Sequence, residues 1–444
     1  MEDSYDVLVI GGCTAGLYFA ERMAKQGYRV LVAEKDSENA WGTRLDIFHL
    51  DMDCFERFGV PRPAADDEAF VQNFTYSVSR SALDRHPKKL HTPVSVMHLP
   101  QYVRKLRAWA ERQGVKIQFE TKFQELLFDG QGRIQGAVLC NNGERFAVKA
   151  RLVADCSGIN AVVRTRLPES YGVETFAVEP ADQYHVVLHY IKLADPERDR
   201  VTLSTSWPYY KTWAAPSTDP EGAIFGVGAG GSFETAEENY QGFLRMVSMP
   251  PHSLHHIEKG LVPAHRAPYS FVADGFVALG DAACVTKPWN GEGITAHWLQ
   301  CEIAAQEFGR AMQNEAYPTA ESVWQVNTRY MQQQGAYFAQ RFAAQSGALD
   351  TTPEENDYEF ANSIVFKGDD ETTPVDIQES LKKGIQSGAL SMGAVQRLMD
   401  GFMAGEKLYQ HYLAFPRTMD GFDTWAKQTD DLWQKVDSLR QAAR

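Results

Sequence analysis

Three short stretches gather the residues whose types and spacing could do chemistry. The first is Gly11-Gly12-Cys13-Thr14-Ala15-Gly16. Backbone N–H groups at a helix start, reinforced by the helix dipole, bind phosphate groups, and glycines let the backbone come close to them. Glu34 follows about 20 residues on, the spacing at which an acid accepts a hydrogen bond from a ribose 2′-hydroxyl. An acid there favours a ribose without a 2′-phosphate. One residue departs from the G-x-G-x-x-G pattern: Cys13 holds the middle glycine's place. Its Cβ and sulfur fall where a pyrophosphate normally meets bare backbone, so either the loop relaxes or the dinucleotide sits further out. The second stretch is Asp155-Cys156-Ser157-Gly158, with Arg164 six residues later. An ion pair, a helix cap and a direct cofactor contact are all open to Asp155 and Arg164. The third stretch carries Asp281 and then Pro288-Trp289-Asn290-Gly291-Glu292-Gly293-Ile294. A carboxylate at a strand end can accept hydrogen bonds from a polyol, and the glycine loop offers N–H groups and a helix dipole to a group carrying negative charge.

Each stretch needs a strand to deliver it and a helix to follow it. Residues 5–11 are a continuous β-branched run, as expected for a strand buried on both faces of a parallel sheet. LYFAERMAKQGY has helical periodicity, and Arg29–Ala33 is a second strand, completing a βαβ unit of about 30 residues. An apolar run also precedes Asp155, and Gly275–Leu279 precedes Asp281. Residues 97–120 read as an amphipathic helix and a strand, followed by short strands joined by Asp-Gly and Asn-Gly turns. A literal G-x-G-x-x-G at Gly226–Gly231 is discounted as a second nucleotide site, because no buried strand ending in an acid closes its βαβ unit. The chain therefore has no dedicated nicotinamide domain.

Composition narrows the function classes. The 444 residues suggest two or three domains, or one domain with large insertions. Forty-four Lys+Arg against 58 Asp+Glu give a net charge of −14, a surface that repels nucleic acid. The six cysteines show no C-x-x-C spacing, which argues against a zinc ribbon, an iron–sulfur set or a disulfide framework. No run of about 18 apolar residues suggests a spanning helix. The acidic start lacks the features of a signal peptide, so a cytoplasmic protein without a transmembrane segment is expected.

Taken together, GGCTAGLYFAERMAKQGYRVLVAEK, RLVADCSGINAVVR and VALGDAACVTKPWNGEGI resemble the three FAD-contact motifs of the p-hydroxybenzoate-hydroxylase-like flavoproteins. The third is similar to the geranylgeranyl-reductase branch, in which a prenyl C=C bond is reduced. The resemblance covers about residues 1–320 and names FAD as cofactor. It implies that Gly11, Gly12 and Gly16, with Cys13, Thr14 and Ala15 between them, hold the pyrophosphate. It places Glu34 and Lys35 at the adenosine ribose and the backbone near Phe123 at the adenine. Gly42-Thr43-Arg44 sits where the family brings a glycine-and-arginine loop to the cofactor. Asp281 would hold the ribityl chain or pyrophosphate, and Pro288, Gly291, Glu292, Gly293 and Ile294 would line the isoalloxazine. Of the branch's aromatic signature, close to Tyr-x-Trp-x-Phe-Pro, only Trp213 and Pro216 are kept; Ala215 holds the Phe position and Tyr210 is displaced by one.

The expected architecture is α/β: a Rossmann-like FAD-binding domain (1–80, 97–170 and 262–325), an inserted antiparallel substrate-binding sheet (81–96 and 171–261), and a helical C-terminal region (326–444). Trp207, Tyr209, Tyr210 and Trp213, four aromatics within seven residues, suit either a core or a flat apolar wall for a substrate, with Trp289 adding to it. His252, His255 and His256 read as an exposed helix start rather than a metal site, and no metal is expected. No catalytic acid or base can be chosen. Residues 350–380 are acid-rich with Thr-Pro breaks and read as a surface loop or linker, and 378–444 show helical patterns. Those helices could cap the pocket or join two copies of the chain. The favoured reading is an FAD-dependent oxidoreductase that reduces or desaturates a C=C/C–C bond of an apolar or aromatic small molecule, with an external electron donor or acceptor. A flavin monooxygenase or halogenase, and a non-catalytic flavin-binding protein, are the alternatives.

Overall fold

The run from Ser4 to Ile10 forms strand β1 at the middle of a parallel sheet, and both of its faces are covered. The computed structural model describes residues 4–43, 47–83, 85–199, 211–246, 249–287, 291–348, 351–365, 367–369 and 374–442. Helix α1 (Thr14–Lys25) leads from β1 to β2 (Val30–Ala33), the expected βαβ unit. After β3 (Ile47–Asp51), α2 (Cys54–Phe58), β4 (Phe70–Ser79) and β5 (Lys88–His98), helix α3 (Leu99–Arg112) returns the chain to β6 (Lys116–Gln118). Strands β7 (Thr121–Phe128), β8 (Ile134–Asn141) and β9 (Glu144–Asp155) form an antiparallel meander whose last strand pairs with β1.

The second unit begins at β10 (Gln183–Leu193), followed by α4 (Pro196–Asp199), β11 (Lys211–Pro216), β12 (Gly222–Gly230), α5 (Phe233–Met246) and β13 (His252–Pro263). Its four strands run antiparallel in the order β11-β12-β10-β13. One face packs under α5 through Val187, Phe225 and Tyr240. The other packs through Leu188, Tyr190 and Ile224 on Val96 and Phe74 of the β3-β5-β4 sheet. Gly226–Gly231 lies largely within β12, paired on both sides with β10 and β11, so this glycine run is sheet and not a phosphate loop. The three histidines lie on β13, whose outer edge is unpaired among the described strands, and not on a helix start. Pairing with β10 overrides the local turn signal at Pro250-Pro251.

The chain then re-enters the first sheet with β14 (Val272–Ala273) and β15 (Phe276–Ala278), giving the order β14-β15-β9-β1-β2-β6. Helix α6 (Ile294–Asn314) lies against α1 and is anchored by Trp298 Nε1 donating to Thr14 O at 3.1 Å. The C-terminal region is helical, as expected: α7 (Gln325–Tyr330), a π-helical turn at Met331–Gly335, α8 (Ala336–Gly347), α9 (Pro353–Ala361), α10 (Ile377–Ser387), α11 (Met392–Leu413) and α12 (Phe422–Ala442). Much of the acid-rich stretch is not a surface loop. Thr352 and Glu355 form a capping box, and α9 buries Glu355, Asn356, Asp357 and Glu359. Local composition suggested solvent, whereas partners from Ser81, Ala82 and Ser391 supply the hydrogen bonds that burial requires. Among the described residues no helix is long and apolar enough to cross a membrane.

Candidate functional site

Register places the chemistry. Ile10 lies opposite both Ala33 and Asp155, and Asp155 lies opposite Ala278, so four parallel strands end at one level. The residues just beyond them, Gly11, Glu34, Cys156 and Leu279–Asp281, meet at the carboxyl edge of the sheet, where open α/β folds bind ligands. Gly11 N donates to Ala33 O, Cys156 N to Ile10 O and Leu279 N to Asp155 O, each at 2.8–2.9 Å.

The phosphate loop is held from several sides. Gly11 has φ +102°, and a Cβ there would lie 2.3 Å from Cys156 O. A Cβ on Gly16 would lie 2.0 Å from Gly11 O. Both positions therefore require glycine. Cys13 does not: its φ of −90° suits any residue, and the thiol is exposed. The loop needs no relaxation to take the cysteine. No side chain caps the start of α1, so that helix end is open to an anion. Thr14 and Ala15 lie buried in its first turn. Glu34, 6% exposed, accepts from Gly12 N at 2.8 Å and from Asp36 N at 2.9 Å, so it braces the loop. Lys35 beside it is exposed. Sequence reasoning missed Trp41, whose Nε1 donates to Gly12 O at 2.9 Å and whose ring meets Phe119 edge-on. Thr121 N reaches Glu34 O at 2.8 Å, so β7 starts beside the loop, and Phe123 lies buried two residues further along.

The second stretch is structural at Asp155. Its carboxylate accepts from Ser157 N, Ser157 Oγ, Val163 N and Arg164 N at 2.6–3.0 Å, capping the turn. The Arg164 side chain does not bond to Asp155. It is fully buried, donates from Nε to Ala282 O at 2.7 Å and from Nη1 to Glu174 O at 2.6 Å, and stacks on Phe176. Its Nη2 has no partner among the described residues, leaving one orphaned buried donor under the Asp281 turn.

Asp281 lies in the turn Gly280–Ala283. Its Oδ1 accepts from Thr286 Oγ1 at 2.5 Å and lies 3.2 Å from His297 Nε2. Burial pushes this carboxyl up, but the imidazole and the Thr286 hydroxyl outweigh it and hold it below its ordinary value. Cys284 closes the turn at φ +51°, a conformation that side chains rarely adopt. In the glycine loop, Gly291 N donates to Lys287 O and Lys287 N to Glu292 O. Glu292 accepts from Thr295 N at 2.8 Å and pairs with Lys287 Nζ at 2.5 Å. Glu292, just before α6, thus already occupies a backbone N–H of that helix's first turn. Arg44, Pro288 and Trp289 lie outside the described residues, as do Trp207 and Tyr210; Trp213 falls on β11 opposite Gly226.

A narrow, partly open cavity of about 30 Å³ adjoins this turn. Cys284 and Thr286 form one wall; Tyr330, Met331, Gly335, Ala339 and Phe342 form another, with Tyr412 and Trp433 closing it. Its polar end is His265 and Arg266, the latter bound bidentately by Glu174 at 2.7 and 2.9 Å. The π-helical turn puts Met331 and Gly335 on this wall. These residues span 263–433, and no short motif marks them. Among the described residues the one close group of metal-type donors is Asp51, Asp53 and Cys54; the thiol is buried and pushed up to about 12 by burial and both acids. That thiol is a poor ligand.

The cleft fits a dinucleotide. Its two glycine cradles would be filled by a Cβ, its helix start is uncapped, and two acids, Glu34 and Asp281, stand along it. The family described as FAD binding domain matches residues 4–212. A digeranylgeranylglycerophospholipid reductase of Sulfolobus acidocaldarius is 22% identical over 452 residues, covering 97% of this chain and 98% of that protein. A geranylgeranyl bacteriochlorophyll reductase-like protein from Thermoplasma acidophilum superposes with a TM-score of 0.73 at 17% identity, over 90% of this chain and all of that one. A flavin-dependent brominase shares the fold at a TM-score of 0.59 and 15% identity, over 97% of this chain and all of that one.

Proposed function

We propose that this FAD-dependent oxidoreductase belongs to the geranylgeranyl-reductase-like branch of the p-hydroxybenzoate-hydroxylase-like flavoproteins and reduces carbon–carbon double bonds in an apolar, isoprenoid-like chain. The observation that carries this reading is the cavity between the Cys284–Thr286 segment and the C-terminal helices, walled by Tyr330, Met331 and Phe342. Such walls suit a flexible hydrocarbon, with His265 and Arg266 left to a polar end of the substrate. The names of the relatives, lipid-chain reductases, point the same way.

Bound in the cleft, FAD supplies hydride transfer to or from a substrate carbon. The chain's part is binding, orientation and exclusion of water. Gly11–Gly16 and the open start of α1 take the pyrophosphate, and Glu34 takes the ribose while holding the loop through Gly12 N. Asp281 takes the polyol. Gly291–Ile294 edges the ring, with the Glu292–Lys287 pair fixing the loop's shape. Phe342 and Trp433, edge to face at 5.4 Å, close the cavity from the helical side. In this reading the substrate lies between the FAD-binding segments (1–80, 97–170, 262–325) and the helical region (326–444), with the inserted sheet at its side.

The test is anaerobic. The holoprotein is reduced with dithionite, and a geranylgeranyl lipid is added. Reoxidation of the flavin in step with gain of two hydrogens per double bond supports the proposal. A flavin that stays reduced with the lipid, yet reoxidises in air to give a hydroxylated or halogenated product, overturns it.

A further inference from the structure

His297 belongs to none of the three motif stretches, yet its imidazole lies 3.2 Å from Asp281. It projects from the first turn of α6 and is 7% exposed. Gly293 leaves room for its ring: a Cβ there would lie 2.7 Å from His297 Cε1 and 2.8 Å from Thr286 Oγ1. The imidazole Nε2 stands 3.1 Å from Thr286 Oγ1 and 3.2 Å from Asp281 Oδ1. With Thr286 donating to the same oxygen at 2.5 Å, both contacts converge on Oδ1. The carboxylate side chain stays 29% exposed, which leaves Oδ2 to an incoming hydroxyl.

We propose that His297 is a positioning residue for the cofactor: with Thr286 it fixes one oxygen of Asp281 so that the other meets the polyol of FAD. This rests on the assignment of Asp281 to the cofactor made above. The Nε2–H donor does two things. It sets the carboxylate's rotation, and it offsets the burial that would otherwise neutralise the acid. The other titratable groups facing Asp281 are the thiols of Cys13, from the phosphate loop, and Cys284, from its own turn. Neither can supply a positive charge. A carboxyl held below its ordinary value stays ionised to lower pH. Without His297, burial dominates and the charge is lost at higher pH.

The test is release of FAD from the full-length holoprotein, read from the recovery of free-flavin fluorescence on dilution between pH 3 and 8. His297→Leu should hold FAD about tenfold more weakly, the size expected for one hydrogen bond to a charged group. Its acid limb of retention should move to higher pH. His297→Gln places an amide N–H near the Nε2 position and should stay within about threefold of the parent, a rescue that mere space-filling would not predict. Thr286→Val removes the second donor and should weaken retention in the same direction. If Leu and Gln at position 297 behave alike, the proposal is overturned. The same holds if Thr286→Val releases FAD as the parent does, an arm that stands even where His297→Leu fails to fold. Asp281→Ala with full retention would instead sink the assignment of Asp281 itself. None of these readings involves the lipid substrate, so failure of the substrate proposal leaves them intact.

Discussion

Glu359 predicts a stability that falls as pH rises. It lies one turn after Glu355 on α9 and is 2% exposed. Burial, and then the neighbouring Glu355 carboxylate, push its carboxyl from an ordinary 4.5 up to about 7. Folding therefore favours the protonated form. The stability it contributes is fully present below about pH 4.5 and is lost as the pH climbs through about 7. A displacement of about 2.5 pH units corresponds to about 3 kcal/mol. Glu359→Gln keeps the shape and removes the titration. It should match the parent near pH 4.5 and exceed it by about 3 kcal/mol at pH 8. Unfolding midpoints of both proteins in urea across that range, with FAD held in constant excess, read the difference directly. Parallel pH profiles for the two proteins would refute the argument, because a Glu359 already charged or solvated in the folded state gives no divergence. A gap that opens toward acid would refute its sign.

Further outcomes follow from the cleft and the cavity. Gly16→Ala should yield protein with little bound FAD, since the added Cβ would fall 2.0 Å from Gly11 O and force α1 away from the loop; the flavin-to-protein absorbance ratio measures it. Cys13→Gly should hold FAD within about threefold of the parent, because the backbone at Cys13 already needs no glycine and a helix-start glycine differs from other residues by little. A large gain in affinity in a fluorescence titration would restore the strained-loop account. Ala339→Val should narrow the cavity and cut turnover of the isoprenoid substrate severalfold, while the visible flavin spectrum stays that of the parent. Unchanged turnover would move the substrate elsewhere.

The phosphate loop and the three motif stretches were legible because each is written in contiguous residues. A β-branched run, a glycine turn and a helical period fix their own backbone hydrogen bonds, and Gly11 and Gly16 prove indispensable for the packing reasons their spacing suggests. The Gly226–Gly231 run was set aside for lack of a closing strand, and β12 accounts for it. Other segments misled by the same local logic. His252–His256 read as a helix start and became sheet, because β10 supplies the hydrogen bonds. Glu355 and Asp357 read as solvated and became buried, because Ser391 and Ser81 arrive from distant positions to bond them.

What the sequence determined alone is the βαβ unit, the FAD-type fold and the edge of the sheet where the cofactor belongs. Strand and helix periodicity are local properties, and parallel strands bring their carboxyl ends to one level whatever follows them. Only the tertiary structure decided how Asp281 is held, where Arg164 points, and which side chains wall the cavity. His297 meets Asp281 through the docking of α6 on α1, and Arg164 reaches Ala282 O across 118 positions of chain. Cys284 shares a cavity with Trp433 because α12 folds back over α8. Such meetings depend on sheet register and helix packing, summed over the whole core, and no short stretch of residues encodes them.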